Sequence, residues 1–148
     1  MLVIVDTNVL LSGLQAGSGP PANILDAWRE RRFQLVTSVE QIEEFRRAAH
    51  YPRLRPYLPR GAVGRVVNEL RKAEVLLKRL RRAGDAPDPG DDYLLAMSIA
   101  AGADYLVTGD KPLLKVKKAG HTRLVSPRGF VALLTGRARA PKSDVMSD

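Results

Sequence analysis

Apolar residues recur along the chain at two periods, and the switches between them mark out the elements. Leu2, Val3, Ile4 and Val5 follow one another without polar interruption and end on Asp6. Such a run describes a strand buried on both faces, as in the middle of a parallel sheet. Leu10, Leu11 and Leu14 read as a short helix stopped by Gly17-Ser18-Gly19-Pro20-Pro21. That glycine pair lacks the downstream Gly-Lys-Ser/Thr of a phosphate-binding loop and predicts a plain turn. Ile24, Leu25, Ala27 and Trp28 repeat at helical spacing up to the charged end Arg29-Glu30-Arg31-Arg32, after which Phe33 to Val36 predicts a second strand.

Thr37-Ser38 opens the next helix, with Gln41 at the capping-box distance from Ser38. Ile42, Phe45 and Ala49 share one face of it, since each helical residue advances about 100°. Glu40 points nearly opposite; Glu43 and Glu44 flank the apolar face on either side, and periodicity lets either reach the rim of a sheet. Val66, Val67, Leu70, Ala73, Leu77 and Leu80 keep a helical stripe, although Val75-Leu76-Leu77 serves equally as a short strand. Asp88-Pro89-Gly90-Asp91-Asp92 introduces a helix from Tyr93 to Ala101, with Asp88 suited to the N-cap and Pro89 to the first helical position. Ala103 to Thr108 is another strand, followed at once by Gly109-Asp110. His121 to Val125 supplies the last strand, and Ser126-Pro127 begins a final amphipathic helix through Phe130, Val131, Leu133 and Leu134. Residues 136–148 show no apolar period and predict a disordered basic tail behind a domain of residues 1–135. Strands alternating with helices predict an α/β fold, an α/β/α sandwich with a mostly parallel central sheet.

Composition narrows the function. A chain of 148 residues suits one domain with a single core. Its lack of cysteine removes disulfides, thiolate zinc sites and cysteine nucleophiles. The two histidines, His50 and His121, show no evident acid partner. The longest nearly apolar run, Leu94 to Ala103, is about half the ~20 residues of a membrane span, and no basic leader precedes the first strand. These features predict a soluble cytoplasmic protein without a membrane partner. A formal net charge of +8 favours a polyanionic partner. The excess lies between Arg46 and Arg82, where Glu69 and Glu74 are the only acids. There Arg46, Arg47, Arg53 and Arg55 are interleaved with Tyr51 and Tyr57, the mixture of cations and stackable rings that suits single-stranded nucleic acid. The plainer reading is an exposed loop anchored by two tyrosines.

The acids complete the picture. Asp6 stands at the carboxyl end of a central strand, where open α/β sheets bind ligands, though capping the following helix is an equally ordinary task for it. In the predicted topology Asp6, Glu43 or Glu44, Asp91 or Asp92, and Asp110 converge on one edge. Hard cations such as Mg²⁺ or Mn²⁺ relieve the repulsion among such carboxylates, can activate water and can stabilise charge on a phosphodiester. An acidic pocket in a basic protein points to a nuclease.

Val5-Asp6-Thr7-Asn8-Val9, the stretch Ser38 to Phe45, Asp88 to Ala96 and Leu106-Val107-Thr108-Gly109-Asp110 resemble the four motif regions of PIN-domain ribonucleases, most closely the VapC-like toxin components of toxin-antitoxin pairs. The resemblance covers nearly all of residues 1–135. It implies metal acids at Asp6, Glu44, Asp91 and Asp110, with Asn8 and Thr108 as polar supports. Thus it selects Glu44 over Glu43, and Asp91 because the small residue due seven positions later falls on Ser98. Asp92 occupies a place where the family often shows Asn and is the alternative third ligand. A family strand before Asp88 favours a break near Glu74. The implied activity is a Mg²⁺- or Mn²⁺-dependent endoribonuclease that leaves a 5′-phosphate and a 3′-hydroxyl, inhibited by an acidic antitoxin. The implied homodimer would draw on Leu10, Leu11 and Leu14 or on the long helix. Two rivals are a PIN-like RNA-binding module without cleavage and a haloacid-dehalogenase-like phosphotransferase; the latter wants a second Asp where Asn8 stands. A serine hydrolase is disfavoured by the lack of a serine elbow.

Overall fold

The computed structural model describes residues 1–136, so the predicted tail of residues 136–148 lies, apart from Gly136, outside the described residues. Six strands form one sheet in the order β3-β2-β1-β4-β6-β5. The strands are β1 (Leu2–Val5), β2 (Gln34–Ser38), β3 (Val75–Leu77), β4 (Tyr105–Val107), β5 (Lys118–Ala119) and β6 (Thr122–Val125). All neighbours pair in parallel except β5, which returns antiparallel to β6. The helices are α1 (Thr7–Ala16), α2 (Pro20–Arg29), α3 (Val39–Ala49), α4 (Ala62–Arg71), α5 (Asp92–Ala101), α6 (Lys111–Leu114) and α7 (Pro127–Leu134).

The uninterrupted apolar run of β1 has its cause in two cores. Val3 and Val5 face a core shared with α1, α2, α3, α4 and α7, while Ile4 faces one built largely on α5. This is the period-2 consequence of a strand covered on both sides. Leu35 and Val36 divide between the two cores in the same way, as do Leu106 and Val107. Gly13 lets α1 and α2 close on each other, because a Cβ there would meet Leu25 Cδ1 at 2.7 Å and the Pro21 carbonyl oxygen at 2.8 Å.

Several boundaries differ from expectation. The helical stripe read through Leu80 breaks in favour of its short-strand alternative: α4 ends at Arg71, and Val75–Leu77 joins the sheet edge beside β2. The β2 strand starts one residue late and runs to Ser38, whose hydroxyl accepts from Gln41 N and so also caps α3. Only half of the predicted capping box forms, because the Gln41 side chain reaches the sheet instead. The short α6 and β5 carried no period long enough to read. Leu10 and Leu11 are almost wholly buried in this chain's own core, so they offer nothing to a dimer contact.

Candidate active site

The sheet order sets the site. From β1 the chain moves to β2 on one side and later returns to β4 on the other, so the crevice beyond the carboxyl ends of β1 and β4 is the topological switch point. Asp6 is the first residue past β1, its N–H held by the Val107 carbonyl at 2.9 Å. Both anticipated roles meet in its side chain. One oxygen caps α1 by accepting from Asn8 N at 3.3 Å, and the other accepts from the Thr108 hydroxyl at 2.7 Å. Burial nevertheless pushes its pKa above the ordinary value, against these hydrogen bonds and with the help of the Asp110 charge.

Asp91 and Asp110 both occupy N-cap positions, of α5 and α6, yet neither side chain makes a capping hydrogen bond. Asp88 takes the capping task at the preceding 3-10 turn, accepting from Gly90 N at 2.9 Å, as the Asp-Pro-Gly pattern predicts. Asp110 N instead donates to Thr108 Oγ1 at 3.1 Å, so one hydroxyl holds the Asp6 carboxylate and the backbone of Asp110. The pocket these residues form has a volume of about 570 Å³ and is lined by Asp6, Asn8, Asp88, Asp91 and Asp110 among others. The carboxyl of Asp91 is raised to about 6 by burial first, then by the charges of Asp6, Asp110 and Asp88, and by a hydrogen bond shared with Asp110. A carboxyl pushed up by burial and by neighbouring acids marks excess negative charge, which a cation would relieve. Among the described residues no three His, Asp or Glu converge closely enough to hold an ion as they stand.

Two of the predicted acids stand elsewhere. Glu44 is outside the pocket lining and is paired with Arg47 at 2.8 Å, although its charge is felt at the hydroxyl of Tyr93. Glu43 is exposed. Asp92 is directed away: its two oxygens accept from Ala83 N at 2.8 Å and Gly84 N at 2.6 Å, pinning the segment before Asp88. Of the two neighbours, Asp91 lines the acid pocket and Asp92 does not. The 3-10 turn separates the two neighbours, sending one into the pocket and the other into the body of the protein.

Gln41 and Tyr93 support the site without having been singled out for it. Buried Gln41 donates from Nε2 to the Val5 carbonyl at 2.6 Å and accepts from Thr37 Oγ1 at 2.7 Å, fixing the strand end that carries Asp6. Its side-chain amide can bridge two adjacent strands, which was the available signal. The Tyr93 hydroxyl lies 3.0 Å from Thr7 Oγ1, and burial raises its pKa. Of the basic stretch, Tyr51 and Tyr57 are 43% and 65% exposed, and Arg46, Arg47, Arg53 and Arg55 are exposed. His121 does have an acid partner, Asp104 at 3.3 Å, but Asp104 precedes β4 and so lies at the opposite edge of the sheet.

Among the described residues no helix is long and apolar enough to cross a membrane. The uncharacterized protein MJ1680 of Methanocaldococcus jannaschii is 24% identical to this chain over 138 residues, spanning 87% of this chain and 88% of that protein. The PIN domain family model matches residues 2–112, which include Asp6, Asp91 and Asp110. With its mostly parallel sheet and its acids at the switch point, the chain belongs to the PIN domain family, whose members are generally nucleases acting on RNA and typically using divalent metal ions.

Proposed function

We propose that this protein is a Mg²⁺- or Mn²⁺-dependent endoribonuclease and the toxin of a toxin-antitoxin pair. The observation that carries the reading is the pair of helix-start acids, Asp91 and Asp110, that do not cap their helices and face the same pocket as Asp6. The donors are carboxylate oxygens, with the Asn8 amide beside them, and this set fits a hard divalent cation. Asp6, Asp91 and Asp110 would hold it, and Glu44 would join from outside once released from Arg47. The cation supplies activation of water and neutralisation of charge at the phosphodiester when bound. Thr108 aims Asp6 and fixes the backbone of Asp110; Gln41 holds the strand end beneath them. Asn8, exposed and lining the same pocket, would donate to a phosphate oxygen. Tyr51 and Tyr57 would stack on bases of a single strand while Arg46, Arg47, Arg53 and Arg55 hold its phosphates. The products are a 5′-phosphate and a 3′-hydroxyl, and an acidic antitoxin keeps the protein in check in the cytoplasm.

A PIN-like RNA-binding module without cleavage has one observation in its favour, the separation of the acids noted above. Incubating the purified chain with cellular RNA, with and without exhaustive chelation, and mapping fragment ends distinguishes the two. Cleavage that stops with chelator and returns with Mn²⁺ or Mg²⁺ supports the nuclease. Binding with intact RNA under every condition leaves the module.

A further inference from the structure

The 3-10 turn at Pro89–Asp91 borders two pockets. Asp88 and Asp91 line the acid pocket, while Pro89 and Gly90 line a smaller one of about 250 Å³. Opposite charges share this second lining without meeting. Glu40, from the first turn of α3, and Arg81 and Arg82, from the segment after β3, are exposed and make no ion pair with one another or with any other described residue. Asp92, the other acid of the lining, is already satisfied by Ala83 N and Gly84 N, and those two bonds fix the arginine segment against the start of α5. Leu80, Ala96, Pro89 and Tyr93 complete the wall. The Tyr93 hydroxyl is taken by Thr7 at 3.0 Å, which leaves its ring to the pocket.

Two guanidiniums balanced by two carboxylates do not make an anion site. They suit a neutral group that donates at one edge, accepts at another and has flat apolar faces, and an unstacked nucleobase is such a group. The volume lies below the ~300 Å³ at which pockets for drug-sized ligands begin, so it suits one base and not a longer stretch of chain. The donor set chooses among the bases. A carboxylate only accepts, and guanine alone offers it two adjacent donors, N1–H and the 2-amino group. Adenine and cytosine place an acceptor beside their amino groups, and uracil flanks its one N–H with two carbonyls. Guanine also presents O6 and N7 together, the pair of acceptors that an arginine fork matches.

We propose that this pocket takes the base of a guanosine flanking the phosphate held at Asp6, Asp91 and Asp110, a reading that rests on the chain being an RNA nuclease. Glu40 accepts from N1–H and the 2-amino group, Arg81 or Arg82 donates to O6 and N7, and Tyr93 and Pro89 pack against the ring. Base preference therefore resides across the turn from the acids and is separable from them.

The test uses the full chain in chelator and fluorescence anisotropy with labelled hexauridylates that carry one guanosine, adenosine or inosine in place of a central uridine. In wild type the guanosine probe should bind at least about fivefold more tightly than the adenosine probe, the discrimination of one good bidentate pair. Inosine, which lacks the 2-amino group, should fall between them. Glu40→Gln should make guanosine and inosine bind alike with no fall in melting temperature, and Arg81→Ala with Arg82→Ala should remove the preference over adenosine. Equal binding of guanosine and adenosine by wild type, or a preference that survives Glu40→Gln undiminished, overturns the proposal. So does free guanosine monophosphate that binds as tightly as the guanosine probe, since the pocket would then be a site for a free nucleotide. A chain that selects guanosine but cuts no RNA sinks the nuclease reading alone; one that cuts RNA but binds the probes alike sinks the pocket alone.

Discussion

The two ends of β4 carry the same residue type in opposite circumstances. Asp104, just before the strand, accepts from Leu2 N at 2.8 Å and is paired with His121. Asp110, beyond its other end, faces a pocket with Asp6 and Asp91, and its charge adds to the burial that pushes both of their pKa values up. Proximity to a strand end therefore does not make an acid functional. What distinguishes the carboxyl edge is charge left uncompensated by the fold. At the amino edge the fold itself supplies the partners.

The largest expected difference between the edges is in catalysis. Asp110→Asn or Asp91→Asn should lower RNA cleavage by on the order of 100-fold or more, as removal of a metal-holding acid does, while Asp104→Asn changes it little. Initial rates on one RNA at fixed Mn²⁺ measure this. Equal losses at both edges would break the comparison.

Stability should show the next largest effect, between adjacent residues. Asp92→Ala leaves two backbone N–H groups without their carboxylate and should cost about 2–4 kcal/mol in urea unfolding. For Asp91→Ala in chelator the change should stay within about 1 kcal/mol and can be a gain, because repulsion is relieved. If the two behave alike, the 3-10 turn does not divide their roles.

The smallest effect is a pH dependence. Asp91 has a folded-state value of about 6 against an ordinary 3.8, so below pH 4 both folded and unfolded states hold its proton and the acid costs nothing. As pH rises through 6 the folded carboxyl must ionise beside Asp6 and Asp110, and stability is lost. The melting temperature of Asp91→Asn minus that of wild type, in chelator, should accordingly grow between pH 4 and pH 7. A difference that shrinks over that range contradicts the repulsion.

How much of this was legible in the sequence depended on the range of the interactions concerned. The strand β1 and the position of Asp6 could be read because a doubly covered strand leaves an uninterrupted apolar run. Val75–Leu77 could not be resolved, since three residues fit a helical stripe and a strand equally until β2 pairs with them. Asp91 and Asp92 are one residue apart, and only the phase of the 3-10 turn decides which enters the pocket. Gln41 matched a local capping box, but the Val5 carbonyl, 36 residues away in sequence, competes for its amide. The partners of Glu44 and His121 were equally invisible: Arg47 is one helical turn away but among several basic neighbours, and Asp104 comes near only when β4 pairs with β6.

The central claim is that the carboxyl edge of the sheet holds a divalent cation through Asp6, Asp91 and Asp110. The most direct measurement is a calorimetric titration of Mn²⁺ into the wild-type chain, Asp110→Asn and Asp104→Asn, without RNA. Saturable binding in wild type and Asp104→Asn, weakened at least tenfold in Asp110→Asn, is the predicted result. Binding that is absent from all three, or equally tight in Asp110→Asn, would contradict it.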